Sequence, residues 1–191
     1  MNHRHFILHK PYGYLSQFIR PVSKRKNKKL LGELGNFPAG TMAIGRLDEA
    51  SEGLLLLTTN GKVSEEVRSK KIEKEYYAQV DGEITAEAIE ELKKGVTIRV
   101  NKVDYKTLPC QAKKLHEAPN FEQRTRKIRD DRHGTTSWVS ITLTEGKNRQ
   151  VRKMTATVGF PTLRLIRVRI GNIHLENLKS GEFIEVDSFN L

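Results

Sequence analysis

Apolar and polar residues alternate along several short segments of the chain, and this pattern predicts β-strands. The alternation runs through residues 75–80, 138–144 and 163–170. In the first of these segments Tyr76 lies on the apolar face, so the pattern alone assigns its ring to the core. Asp81 and the glycine after it predict the turn that follows.

Two unbroken apolar runs predict strands that are buried on both faces. They are residues 6–8 and the four leucines at 54–57. The pair Asn60-Gly61 follows the leucines and is typical of a tight turn.

Two segments have the spacing of amphipathic helices. Thr85 is a suitable N-cap for a helix that ends at Lys94, before Gly95. A second helix is expected over residues 149–158, with a glycine directly after it. Together with the predicted strands, these helices indicate an α+β fold, rich in antiparallel hairpins and with few crossover helices.

The charge of the chain favours a polyanionic partner. The formal net charge is +11, from 34 Lys and Arg against 23 Asp and Glu, which is typical of proteins that bind nucleic acid or an acidic surface. A single cysteine, Cys110, excludes an internal disulfide and suits a reducing cytoplasm. The histidines at 3, 5 and 9 have no cysteine or carboxylate nearby, so we expect no metal site. We expect no signal peptide or membrane span, because the longest apolar run is four leucines.

Two polar segments are expected to be loops. The basic run KRKNKK at 24–29 is either a solvated loop or a phosphate contact. Residues 116–135 have no apolar periodicity and predict a long loop, which in a compact domain is usually functional or disordered.

One carboxylate stands in an apolar setting. Asp48 follows Leu47 and precedes the buried leucine run, and Arg46 is two residues before it. A carboxylate there needs hydrogen bonds or a cation, because burying an unpaired charge costs on the order of several kcal/mol. The residues permit two interpretations: an ion pair that stabilises the loop, or an ionised carboxylate held as a nucleophile.

Five ordered segments resemble the signatures of one enzyme family, the RsuA-type RNA pseudouridine synthases. They are GRLD with SEGLLLLTTNG, HKPYGYLSQF, KEYYAQVDG, EGKNRQVRKM and PTLRLIRVRIG. These segments occur in family order along the chain, between residues 9 and 171, and the resemblance as a whole spans residues 5 to about 183. Within the family, the sequences of these segments most resemble those of members that act on large-subunit (23S) ribosomal RNA.

The resemblance implies a fold and a reaction. The fold would be one catalytic domain over residues 1–191, with a mostly antiparallel or mixed bent sheet, a few flanking helices and two joined lobes around a central cleft. Because HKPYG begins at residue 9, no S4-type RNA-binding module is expected before it. The reaction would convert a uridine of ribosomal RNA, flipped out of its stack, into pseudouridine without a cofactor or a metal.

The resemblance also implies roles for individual residues. Asp48 would be the carboxylate that detaches the base, Tyr76 would stack on the uracil, and Arg152 would be the ionic partner of the carboxylate. Arg46 would lie near the gap left by the flipped nucleotide. Further RNA contacts are expected at a set of basic side chains: Lys10, Arg149, Lys153, Arg164 and Arg167.

Alternatives to this function remain open at the level of the sequence. One is a synthase for small-subunit ribosomal RNA or transfer RNA. Another is a non-catalytic RNA- or ribosome-binding protein on the same fold, although such a protein has no use for a buried carboxylate that faces RNA phosphates. We expect a monomer.

Overall fold

The computed structural model describes residues 3–19, 28–69, 71–128 and 133–191. The chain divides into two compact units. The first unit contains Met1–Ile72 and Arg167–Leu191, and the second contains Glu73–Ile166.

The strands and helices follow one another as the alternating patterns predict, with several additions. The strands are β1 (His5–Lys10), β2 (Tyr14–Leu15), β3 (Lys29–Leu30), β4 (Met42–Ile44), β5 (Glu52–Thr58), β6 (Lys74–Asp81), β7 (Thr97–Val100), β8 (Val103–Lys106), β9 (Gln111–Leu115), β10 (Thr136–Leu143), β11 (Thr162–Ile170), β12 (Ile173–His174) and β13 (Phe183–Val186). The α-helices are α1 (Gly61–Ser69), α2 (Ala86–Lys94) and α3 (Gln150–Thr157).

The first unit is built around β5. Every residue of this strand is buried, which confirms the prediction that the leucine run has no solvent-facing side. β1 lies antiparallel between β13 and β5, and β4 also pairs with β5. The strand β11 is a further neighbour of β5, and Gly53 allows their close approach: a Cβ at Gly53 would lie 2.3 Å from the carbonyl oxygen of Arg167.

The turn predicted at Asn60-Gly61 is wrong, because a helix begins there. The side-chain oxygen of Asn60 accepts hydrogen bonds from the amides of Lys62 (3.0 Å) and Val63 (3.4 Å). Asparagine is common both in turns and at helix N-caps, where its side chain satisfies amides that have no partner within the helix. The dipeptide alone did not distinguish the two uses.

In the second unit, β10 pairs antiparallel with both β6 and β9, and β7 and β8 form a hairpin. Helix α2 confirms its predicted bounds: the Thr85 hydroxyl accepts from the amide of Ala88 at 3.2 Å, and Gly95 ends the helix with φ +82°. Alternation in β10 predicted one buried face, but both faces are buried. Polar side chains on the second face find partners, as where Ser140 donates to Glu75 at 2.7 Å.

The C-terminal part of the chain continues beyond the predicted strand 163–170 with elements that the patterns did not predict. Two further short strands, β12 and β13, follow it in the first unit. The last of them has four residues, and its Ile184 is half exposed, so its pattern carries little periodic signal.

The predicted loops are partly described. Residues 116–128 and 133–135 contain no α-helix or strand, in agreement with a long loop. Most of the basic run, residues 24–27, lies outside the described residues, while Lys28 pairs with Glu49 at 2.5 Å. Among the helices that the structure describes, none is long and apolar enough to cross a membrane.

Candidate active site

Asp48 lies in a tight loop that connects β4 to the fully buried β5. Gly45 opens the loop with φ +73°, a backbone conformation that favours glycine. The carbonyl of Asp48 accepts from the amide of Ser51 at 3.0 Å, which closes a turn directly before the strand. The Asp48 side chain is half-buried and has at least one interaction with its surroundings. Asp48 therefore lies just before a strand that is buried along its whole length, as the apolar run suggested.

Residues 13–16, which follow β1 in the chain, bind backbone groups of the Asp48 loop. The buried Ser16 hydroxyl donates to the carbonyl of Leu47 at 2.8 Å and accepts from the Leu47 amide at 3.0 Å. The amide of Gly13 donates to the carbonyl of Glu49 at 2.8 Å. The residues on both sides of Asp48 are thus fixed, which limits where its carboxylate can lie.

Lys10 completes this backbone clamp from inside the protein. Its side chain is fully buried, and its Nζ donates to the carbonyls of Ser51 (2.7 Å), Pro11 (2.9 Å) and Glu49 (3.4 Å). Burial lowers the pKa of Lys10 from 10.5 to about 7, although nearby carboxylates, Glu52 first among them, oppose the shift.

Two basic side chains predicted to contact RNA therefore lie inside the first unit. Lys10 is fully buried, and Arg167 is also buried and donates its Nε to the carbonyl of Leu54 at 2.8 Å. These positions do not favour contact with phosphates, and they indicate instead a part in holding the strands and the loop. Arg46, by contrast, is exposed two residues before Asp48.

Tyr76 and Arg152 belong to the second unit. Tyr76 is only 9% exposed and lies on the same buried face of β6 as Ala78, with Ile141 opposite it on β10. Arg152, on α3, is half-buried, and its Nη1 donates to the carbonyl of Thr162 at 3.3 Å. Its neighbour Val151 belongs to the buried face of α3, so Arg152 stands at the edge of that face.

The start of α3 is fixed by a carboxylate that sequence reasoning did not single out. Glu145 accepts from the Tyr105 hydroxyl (2.5 Å), the Leu108 amide (2.9 Å) and the Gln150 side chain (2.5 Å). Next to this cluster Arg149 adopts a left-handed conformation, φ +52°, directly before the helix. Glu145 opens the segment EGKNRQVRKM, and Ser16 lies within HKPYGYLSQF, so the only signal for either was its place in a family-like motif.

The remaining predicted RNA contacts differ in exposure. Arg149 is exposed and Lys153 is half-buried near the start of α3. Arg164 is buried on β11, where it donates to the carbonyl of Glu122 at 2.9 Å and lies 5.8 Å from the centre of the Phe121 ring. Arg164 thus holds the long loop, a role the sequence did not suggest.

Comparison with known proteins identifies the family of the chain. The chain matches the family model of RNA pseudouridylate synthases over residues 4–157, and it belongs to this family. It is 41% identical over 174 residues to the ribosomal large subunit pseudouridine synthase E of Xanthomonas axonopodis pv. citri (strain 306), covering 90% of this chain and 88% of that protein. It is 38% identical over 188 residues to the synthase of the same name from Vibrio parahaemolyticus serotype O3:K6 (strain RIMD 2210633), covering 97% and 74%.

A solved structure described as a pseudouridylate synthase shares the fold. Its TM-score is 0.74 at 24% identity, and the match covers 96% of this chain and 70% of the other. The predicted α+β pseudouridine synthase fold is therefore confirmed. The family model and the relatives confirm the RNA pseudouridine synthase class. Among the described residues, no group of three or more His, Cys, Asp and Glu side chains is arranged to hold a metal ion.

Proposed function

We propose that the chain isomerises a uridine of large-subunit ribosomal RNA to pseudouridine, with Asp48 as the carboxylate that detaches the base. The observation that carries the proposal is the backbone clamp on the Asp48 loop. Ser16 binds both the amide and the carbonyl of Leu47. The Gly13 amide donates to the Glu49 carbonyl, and Lys10 donates to the carbonyls of Glu49 and Ser51. A reaction in which one carboxylate must meet a flipped nucleotide gains most from such fixed geometry.

The chemistry needs only groups that the protein itself supplies. The bond from the ribose to uracil N1 breaks, the base turns and a new bond forms from the ribose to C5. C5 then loses its proton and N1 gains one. The product is an isomer of the substrate, so no electrons are transferred to or from a cofactor. Tyr76 and Arg152 complete the proposed catalytic set in the roles that the family resemblance implies.

The substrate assignment rests on the relatives. Those at 38–41% identity carry the name large subunit pseudouridine synthase and match along 90% or more of this chain. The net charge of +11 suits a polyanionic substrate. We propose a monomer that acts in the cytoplasm; a size-exclusion mass above that of one chain would contradict the first part.

The test is chemical mapping of pseudouridine in large-subunit ribosomal RNA from cells with and without this protein. One site should lose its modification, and purified protein should restore it on an unmodified transcript. Asp48→Asn should abolish turnover while RNA affinity stays within a few-fold of wild type. Modification of a small-subunit or transfer RNA alone would reassign the substrate. Normal turnover by Asp48→Asn would remove Asp48 from its role, and absence of any new pseudouridine would favour a non-catalytic RNA-binding protein.

A further inference from the structure

An open groove of about 270 Å³ lies beside the Asp48 loop in the first unit. Its lining combines the apolar side chains of Phe18, Ile19, Met42 and Ala43 with polar residues, among them Gln17, Thr41 and Arg46. None of these apolar side chains was singled out by the sequence patterns. The proposed catalytic residues Asp48, Tyr76 and Arg152 are not among the residues that line it.

The lining of the groove is mixed, and two large hydrophobic side chains stand exposed in it. Among the described residues, five large hydrophobic side chains are exposed: Ile19, Met42, Val103, Leu108 and Ile184. Two of the five, Ile19 at 83% and Met42 at 38%, border this one groove. Exposed apolar side chains that cluster around a concave site mark a binding surface more often than scattered ones do.

The walls of the groove are fixed by the core beneath them. Phe18 contacts Phe37 edge to face, with 5.3 Å between ring centres, and both pack against the buried cluster of Phe6 and its neighbours. Ala43 pairs with Leu57 of the fully buried β5. The groove is thus preformed, so a ligand would bind it with little cost in ordering the protein.

The groove is joined to the proposed catalytic loop. Ser16 lines it, and the same Ser16 hydroxyl holds the backbone of Leu47. Arg46 lines it as well, two residues before Asp48. A group bound in the groove would therefore lie next to the nucleotide on which Asp48 acts.

We infer that this groove binds one unstacked nucleobase of the substrate RNA, adjacent to the target uridine, and so contributes to the choice of site. The inference rests on the proposed function. Sequence-specific recognition of RNA typically uses bases that leave the stack and lie on apolar or aromatic side chains or on an arginine plane. Arg46 at the border supplies the charge that suits the adjoining phosphate.

The size of the groove favours a base over a protein segment. Sites for drug-sized ligands span about 300–1,000 Å³, so 270 Å³ admits a single planar ring system rather than a helix or several peptide residues. The strongly basic chain also disfavours a basic protein partner and favours RNA.

The experiment measures the affinity of wild-type protein and variants for an RNA stem-loop that contains the mapped uridine. In a series of these RNAs, each nucleotide flanking the uridine is replaced in turn by an abasic one. At one flanking position the abasic RNA should bind wild-type protein about ten-fold more weakly, the loss expected for one stacked base. Met42→Glu and Met42→Ala should bind the intact RNA more weakly but lose nothing further on that abasic RNA.

Ile184→Glu is the matched control, because it adds the same charge at another exposed apolar residue that does not line the groove. It should keep the full response to the abasic replacement. Circular dichroism verifies folding, and if Met42→Glu does not fold, Met42→Ala and Ile19→Ala decide the question. Equal sensitivity of wild type and groove variants to every abasic position would overturn the inference.

These outcomes separate the groove from the proposed function. Binding is read without turnover, so a missing effect of the groove variants leaves the uridine isomerisation intact. Conversely, wild-type protein that forms no pseudouridine on any RNA would refute the function, whatever the groove binds.

Discussion

The hydroxyl of Ser16 makes both hydrogen bonds of the Leu47 backbone, donating to its carbonyl at 2.8 Å and accepting from its amide at 3.0 Å. In a β-sheet these two backbone groups would bond to a neighbouring strand. Here the Ser16 side chain satisfies both. Both residues are buried, so water is not available to take over either bond.

We predict that Ser16→Ala lowers kcat more than it lowers RNA affinity. The variant leaves a buried amide and a buried carbonyl without this partner, which should cost about 1–3 kcal/mol of unfolding free energy. Small displacements of a catalytic group lower rates steeply, so kcat should fall about 10- to 100-fold. Single-turnover kinetics and urea unfolding measure the two effects. Ser64→Ala replaces another buried serine of the first unit, in α1, and should leave kcat near wild type.

Lys10 gives the clamp a predicted pH dependence. Its pKa is lowered by burial to about 7 in the folded protein, whereas the unfolded chain titrates at the ordinary value of 10.5. Between these two pH values the unfolded state holds more protons at this position, so the Lys10 contribution to the free energy of unfolding rises with pH. Below pH 7 both states are protonated, and the full cost of burying the ammonium is present.

The measurement compares wild type with Lys10→Met in urea unfolding at several pH values. The free energy of unfolding of wild type minus that of the variant should increase from about pH 7 toward pH 10.5. Subtracting the variant removes the titration of all other groups. A difference that stays constant across this range would show that Lys10 titrates normally in the folded protein.

The sequence predicted those parts of the fold that depend on local pattern. The four leucines of β5, the alternation in β6 and the Thr85 cap of α2 were each encoded within a few neighbouring residues. Asp48 was identifiable because a carboxylate stood next to an apolar run.

The clamp around Asp48 was not predictable in this way. Lys10 reaches carbonyls 39 and 41 residues further along the chain, and Ser16 reaches Leu47 across 31 residues. A lysine next to a proline in a strongly basic chain suggests a phosphate contact, and only the tertiary structure shows that its ammonium lies inside. Burial of Arg167 was missed because alternation in β11 set it on the face opposite Ile166 and Ile170, and burial of Arg164 depends on a loop more than forty residues before it in the chain.

Glu145 accepts from the Gln150 side chain at the start of α3 and from the Tyr105 hydroxyl on β8, and we predict that it couples the two. Its hydrogen bond raises the pKa of Tyr105, since the bond requires the phenol proton. In Glu145→Gln the pKa of Tyr105 should fall toward its ordinary value, and RNA affinity should decrease as the turn before Arg149 loosens. Ultraviolet difference titration measures the pKa, with Tyr105→Phe to identify the signal. An unchanged titration in Glu145→Gln would disprove the coupling.

The affinity for RNA should fall steeply with added salt, and the exposed basic residues should account for it. Arg149→Gln removes a charge at the start of α3 and should reduce the slope of log affinity against log salt by about 0.7–0.9, the value of one phosphate contact. Arg99→Gln removes another exposed arginine, on β7 and outside the predicted contacts, and should leave the slope unchanged. Equal slopes for both variants would remove Arg149 from the interface, and binding insensitive to salt would argue against backbone-dominated recognition.

Gly53 is predicted to be irreplaceable where β5 approaches β11. Its φ is +103°, and a Cβ there would lie 2.3 Å from the Arg167 carbonyl oxygen and 2.6 Å from the Arg167 nitrogen, both rigid backbone atoms. Gly53→Ala should therefore lower the free energy of unfolding by about 2 kcal/mol or more, from backbone strain plus overpacking. Gly40→Ala is the matched control, because Gly40 has φ +82° but a methyl group added there would meet no atom within 4 Å. It should show the strain alone, about 1 kcal/mol. Since β5 carries the Asp48 loop at its start, Gly53→Ala should also reduce turnover, whereas Gly40→Ala should not. Equal losses of unfolding free energy in the two variants would mean that the backbone around Arg167 moves to make room for the added methyl group.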